Sequence, residues 1–174
     1  MPPEPTPNEE TGKLVGITQQ HNLYRAMVDM GEPLPDLVWD PEIAALAQEW
    51  ADTLAEDCSF HHSMRQGYGE NLATFGASSA SGPGQTGAYA VDLWYSEIDC
   101  YTYGTIRGSS NMGTEECTSE CDSSGGCGHY TQVVWRKSLR VGCGVSSCAR
   151  DGFYWDTYVC NYDPPGNYQG QYPY

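Results

Sequence analysis

Apolar positions fall at helical spacing in three stretches of the first half of the chain, then give way to dense β-branched and aromatic runs near the end. The clearest helix opens at Asp40. Asp40 is a capping residue, Pro41 fits the first helical position, and Glu42 suits the positive end of a helix dipole. Ile43, Leu46, Ala47, Trp50, Ala51 and Leu54 then follow a 3.6-residue period and predict one buried stripe. A preceding helix is predicted from Lys13 to Met30, ending at Gly31 and the turn GEPLPDL. A third is predicted over Thr86 to Ile98, with Ala90, Val91, Trp94 and Ile98 inward. Towards the end, RVGCGVSSC (140–148) and FYWDTYVCNY (153–162) flank an Asp151-Gly152 turn signal and predict a hairpin. GENLATF (69–75) reads as a further strand. SSASGPGQTG (78–87) and GSSNMGTEECTSECDSSGGCG (108–128) read as Gly/Ser-rich loops, the second long enough to need tying down. Helices first and a hairpin last predict α+β layers rather than alternating βαβ units.

The length of 174 residues fits a single domain. Residues 1 to 12 are Pro-rich and acidic and read as a flexible leader, which places the domain at 13–174. Eight cysteines (58, 100, 117, 121, 127, 143, 148 and 160) are spread over separated segments, which predicts disulfides and an oxidising compartment. Their spacing lacks the paired knuckles of a zinc ribbon. With 8 basic and 23 acidic residues the formal charge is −15, so the chain has no basic stripe for nucleic acid and is ill suited to an anionic membrane surface. No apolar run reaches the length of a transmembrane segment. Met1 leads directly into PPEPTPNEE, with no apolar signal region, as in a mature secreted chain with an added start methionine.

Several runs together point further. HNLYR (21–25), CSFHHS (58–63), GEN (69–71), the pair Trp94 and Glu97, GHYTQVVW (128–135) and CNYDPPGN (160–167) occur in that order. In these motifs the chain resembles the cysteine-rich secretory protein, antigen 5 and pathogenesis-related group 1 (CAP) superfamily, over roughly Lys13 to Tyr174, with a cysteine pattern of the plant pathogenesis-related type. The resemblance implies a three-layer α-β-α sandwich with a central antiparallel sheet stabilised by disulfides, a secreted protein, and a shared central cleft. It implies the bridges Cys58–Cys148, Cys143–Cys160 and Cys121–Cys127. Cys100 and Cys117 are additional to the plant pattern and bracket an insertion. They are left to pair with each other.

The resemblance also implies a cleft built from His62, Glu70, Glu97 and His129. Neutral imidazole suits zinc or another divalent cation, and carboxylates beside histidines fix the tautomer, so His62 and His129 are the expected metal ligands. A structural polar network of the same four residues is the rival reading. His61 reads as a solvated neighbour, and His21 as a structural histidine hydrogen-bonded inside. A sterol or other lipid, or a protein partner, is implied as ligand. Hydrolysis by the same cleft is an alternative, but G-x-S-x-G is absent and paired cysteines leave no thiolate. Ser63 follows His62, and adjacent residues on an extended chain point in opposite directions. Catalysis is therefore the lesser expectation, and no residue is assigned to it. The tail PPGNYQGQYPY (164–174) resembles a peptide that plant relatives release as a signal. The opposing expectation is that Tyr168, Tyr172 and Tyr174 pack back onto the domain.

Overall fold

The computed structural model describes residues 9–107 and 126–174. Asp40 starts the central helix as its chemistry requires: its carboxylate accepts from the backbone N–H of Glu42 at 2.9 Å and of Ile43 at 3.1 Å. The helix, α2, runs Pro41–Ala55. Its inward face is Ile43, Ala44, Ala47, Ala51 and Leu54, while Leu46 and Trp50 are only half-buried. Burying side chains such as Ile43 and Leu54 stabilises by about 1.5–3 kcal/mol each.

The helix before it is shorter than its apolar spacing suggests. A 3-10 turn covers Gly12–Leu14, and α1 itself covers Ile17–Ala26. Between them Gly16 takes φ +85°, a left-handed conformation that interrupts a helix and favours glycine. The Glu10 carboxylate accepts from Gly16 N–H at 2.6 Å and Thr18 N–H at 2.9 Å, so a side chain from outside the helix satisfies its first donors. The third helix also divides. Thr86 caps it, α3 spans Gly87–Tyr95, and the chain tightens into a 3-10 turn over Ser96–Cys100. A short helix, α4 (Gly128–Val133), carries the GHYTQ motif.

The strands are β1 (Val38–Trp39), β2 (Gly69–Ala77), β3 (Arg140–Arg150) and β4 (Phe153–Asp163), in the order β1-β3-β4-β2. β3 and β4 form the expected hairpin, with Arg150 opposite Phe153 across Asp151-Gly152. Both turn residues have positive φ, 54° and 81°, as a two-residue hairpin turn of this twist demands. β2 pairs antiparallel with β4. The sheet is not wholly antiparallel, because the two-residue β1 pairs parallel with β3.

Side chains alternate across the sheet. Val159 and Leu72 face α2, and Tyr158, Cys160, Tyr162, Ala73 and Val141 face a larger core shared with Ile17, Val91, Trp94 and Tyr130. Helix α2 thus covers one face and α1, α3 and α4 the other, which is the α-β-α sandwich. Two glycines set the first interface. A Cβ on Gly142 would lie 2.1 Å from the Ala44 nitrogen, and one on Gly144 would lie 2.4 Å from the Gln48 Cα. The helix backbone rests on the strand there because nothing projects between them.

Two bridges are set among the described residues. Cys143–Cys160 links facing positions of β3 and β4, and Cys58–Cys148 ties the segment after α2 to the hairpin, both as the resemblance implies. Cys100 and Cys127 are also disulfide-bonded. The expected pairings Cys121–Cys127 and Cys100–Cys117 each involve a residue outside the described residues.

Candidate functional site

The four residues expected to build a cleft come from four separate segments. Glu70 is the second residue of β2, and His62 lies in the irregular stretch before it. Glu97 is in the 3-10 turn after α3, and His129 is in the first turn of α4. Within the fold they form two pairs of one design. His62 Nδ1 lies 2.7 Å from Glu70 Oε1, and His129 Nδ1 lies 2.7 Å from Glu97 Oε1. Both carboxylates are nearly buried, with Glu70 10% and Glu97 6% exposed in the side chain, while His62 is 57% and His129 25% exposed. Each pair therefore has a sheltered acceptor and a more open ring.

Backbone and hydroxyl donors fix the carboxylates. Glu97 Oε2 accepts from Tyr130 N–H at 2.9 Å. Glu70 Oε1 accepts from Ser63 N–H at 2.9 Å, and Oε2 accepts from the Ser63 hydroxyl at 2.5 Å. Desolvation pushes the Glu70 carboxyl up, but hydrogen bonds from His62 and Ser63 outweigh it and hold its pKa below the ordinary glutamate range. The sequence expectation that His62 and Ser63 point apart is not met. The chain from Phe60 to Gly67 is not a strand, and Met64 has φ +57°, so both side chains converge on Glu70. The Ser63 hydroxyl donates to a carboxylate, not to an imidazole, and is not arranged as an activated nucleophile.

Among the described residues, no hydrogen bond or ion pair joins one His–Glu pair to the other. No group of three or more His, Cys, Asp or Glu side chains assembles there as a metal-ligand set. A link does pass through Asn71, next to Glu70 on β2: its Nδ2 donates to the His129 carbonyl at 3.1 Å. The remaining histidines lie apart. His21 is fully buried, with Nδ1 2.8 Å from the Ile17 carbonyl and Nε2 2.8 Å from the Tyr162 hydroxyl. His61 is exposed beside Trp50.

Sequence reasoning did not find what holds His129 in place. Arg25, fully buried on α1, donates to the carbonyls of Pro35, Val133, Trp135 and Ser138 and so fixes the chain leaving α4. Asn167 bonds Thr131 and the Gly128 carbonyl, and Gly166 N–H donates to Gln132. The GHYTQVVW and CNYDPPGN motifs thus touch one another, and the only sequence signal of it was their joint presence. A surface cavity of about 280 Å³ near the hairpin turn is lined by Cys58, Phe60, Thr74, Phe153 and Trp155 among others, and by none of His62, Glu70, Glu97 and His129.

The α-β-α frame has counterparts in known proteins. The CAP cysteine-rich secretory protein family matches residues 18–162. The chain belongs to the CAP family. Its CAP relatives include pathogenesis-related protein 1A of Nicotiana tabacum, 44% identical over 154 residues, covering 88% of this chain and 76% of that protein. Pathogenesis-related protein PR-1 type of Sambucus nigra is 41% identical over the same length, covering 88% and 77%. Among solved CAP structures, BmVAL-1 superposes with a TM-score of 0.66 at 26% identity, over 98% of this chain and 82% of that one. NaASP2, crystallised with Zn2+, superposes with a TM-score of 0.67 at 24% identity, over 98% and 88%, and shares the fold.

Proposed function

We propose that this CAP chain is a secreted binding protein, a single domain over residues 13–174, whose His–Glu cleft takes a divalent metal such as zinc through His62 and His129. One observation carries this reading: both imidazoles present Nδ1 to a sheltered carboxylate at 2.7 Å. A carboxylate accepting at Nδ1 fixes the tautomer with its lone pair on Nε2 and raises ring basicity, which is the arrangement around metal-bound histidine. The donor set therefore suits a borderline cation, with Glu70 and Glu97 offsetting its charge. Bound there, the metal would supply a Lewis-acidic centre that two protein side chains alone hold. Extracellular residence is supported by the disulfides and by the relatives' family.

A sterol or other lipid, or a protein partner, comes second to the metal, since that reading rests on family resemblance and has no donor set of its own. Binding is favoured over hydrolysis because the Ser63 hydroxyl is directed at Glu70. Calorimetric titration with zinc tests the proposal. Wild type takes up zinc, more weakly in acid because protons compete for the imidazole nitrogens. The His62→Ala/His129→Ala double variant loses that uptake, and equal uptake by both proteins refutes the site.

A further inference from the structure

Three buried side chains outside the two His–Glu pairs form a continuous polar line to one of them. His21 and Tyr162 are fully buried and Asn71 is 1% exposed. The line has a direction. His21 Nδ1 faces the Ile17 carbonyl at 2.8 Å, and a carbonyl can only accept, so Nδ1 carries the ring hydrogen. In the neutral ring Nε2 is then the acceptor, and the Tyr162 hydroxyl, 2.8 Å away, donates to it. The hydroxyl oxygen in turn accepts from Asn71 Nδ2 at 3.2 Å. The same amide nitrogen donates to the His129 carbonyl at 3.1 Å. Its two hydrogens thus serve two acceptors: the Ile17 carbonyl sets the orientation of His21 and Tyr162, and the His129 carbonyl, which can only accept, sets that of the amide. Burial supports the neutral ring by disfavouring the imidazolium.

We propose that Asn71, oriented by His21 and Tyr162, is the positioning residue for the His129 half of the cleft. The inference deepens the metal reading above and rests on it. Asn71 directly follows Glu70 on β2, so one strand carries both the carboxylate that holds His62 and the amide that holds His129. The His129 ring is fixed by Glu97 and its carbonyl by Asn71, which leaves the residue anchored at both ends. Strand β2 therefore makes a hydrogen bond to each half-site. Through α1, the His21 end ties this register to the larger core.

The test uses the intact protein and zinc. Tyr162→Phe removes the hydroxyl while keeping the ring, and Asn71→Leu replaces the amide with an apolar group of the same shape. Both are expected to weaken zinc binding measurably, by less than the roughly 10- to 100-fold that follows loss of a partner bonded to the ligand ring itself, such as Glu97. Tyr158→Phe is the control. Tyr158 is an equally buried tyrosine of β4 whose hydroxyl donates elsewhere, to the Gln85 carbonyl at 2.8 Å. Its loss is expected to lower stability and leave zinc affinity unchanged. Unchanged affinity in Tyr162→Phe, or an equal loss in Tyr158→Phe, overturns the proposal. The wild type supplies a check that needs neither folding of a variant nor zinc: nitrogen NMR of His21 is expected to show a neutral ring protonated at Nδ1. A ring protonated at Nε2 reverses the His21–Tyr162 bond, removes the orientation of Tyr162 that the proposal invokes, and also overturns it. A wild type that takes no zinc defeats the metal reading alone, and the His21 tautomer still decides the relay.

Discussion

His21 and Arg25 show what single side chains do once they are buried one turn apart on α1. Both are polar, both are wholly enclosed, and both have their hydrogen bonds satisfied by main chain or hydroxyl. Desolvation pulls the Arg25 guanidinium down to about 10, still protonated at neutral pH. The same effect, opposed by the Ile17 carbonyl and aided by the Arg25 charge, lowers His21 from 6.5 to about 4. In the window between those values the unfolded chain binds a proton at this residue and the folded chain does not. The His21 contribution is therefore complete above about pH 6.5 and is lost as pH falls towards 4. A shift of this size corresponds to about 3 kcal/mol. Urea unfolding at pH 7 and pH 4.5 checks it: wild type is expected to lose distinctly more stability between the two than His21→Leu, which has nothing to protonate. Equal losses would show that His21 is not the group responsible.

At the scale of elements, the contact of α2 with β3 is decided by missing side chains. Gly142 and Gly144 alternate with Val141, Cys143 and Val145, so one face of the strand is flat where the helix crosses it while the other is apolar. The Gly142→Ala methyl would meet the Ala44 nitrogen and the Ile43 carbonyl carbon at 2.1 and 2.5 Å, both backbone atoms that no rotamer change can move. Overpacking of this kind costs about 1–3 kcal/mol or more. For a domain of this size that is a fall of several degrees in melting temperature, at roughly 2–4 °C per kcal/mol. The Gly84→Ala exchange, at a position with no atom within 4 Å of the added carbon, is the comparison expected to leave the melting temperature nearly unchanged. Thermal unfolding that ranks the two variants the other way would remove the close-approach explanation.

Across the whole molecule, the C-terminal segment behaves as part of the fold. Ile106 N–H donates to the Gln171 carbonyl, Gly170 N–H to the Ile106 carbonyl, and Arg136 N–H to the Pro173 carbonyl at 2.9, 2.8 and 2.7 Å. Tyr174 shares a hydroxyl contact with Tyr130 at 3.1 Å, and Tyr172 stacks on Tyr103. Tyr168 and Tyr172 stay largely exposed, so the packing is carried by main-chain bonds and Tyr174 more than by three inserted rings. A protease needs several residues of extended chain, and these bonds deny it that. Limited proteolysis of the native protein is expected to leave residues 164–174 attached while a denatured control is cut. Early release of the peptide from folded protein would restore the signalling alternative.

The sequence by itself determined the features that depend on a few neighbouring residues. Asp40, Pro41 and Glu42 specify the start of α2, and Asp151-Gly152 specifies the hairpin turn, because capping bonds and positive φ are local requirements. The motifs, read as a family resemblance, gave the sandwich and two of the bridges, and they named the four side chains that the fold joins as two His–Glu pairs. Only the tertiary structure decided the rest. Val38–Trp39 is too short to signal a strand and becomes one through bonds to β3, a hundred residues away. Gly16 interrupts the first helix with a left-handed conformation, and Glu10 folds back to accept from Gly16 and Thr18. Ser63 joins His62 at Glu70 in an irregular segment outside any strand, and Asn71 meets His129 only when β2 and α4 are packed side by side. Those partners are set by where distant segments come to rest, and neither side-chain period nor residue spacing records that.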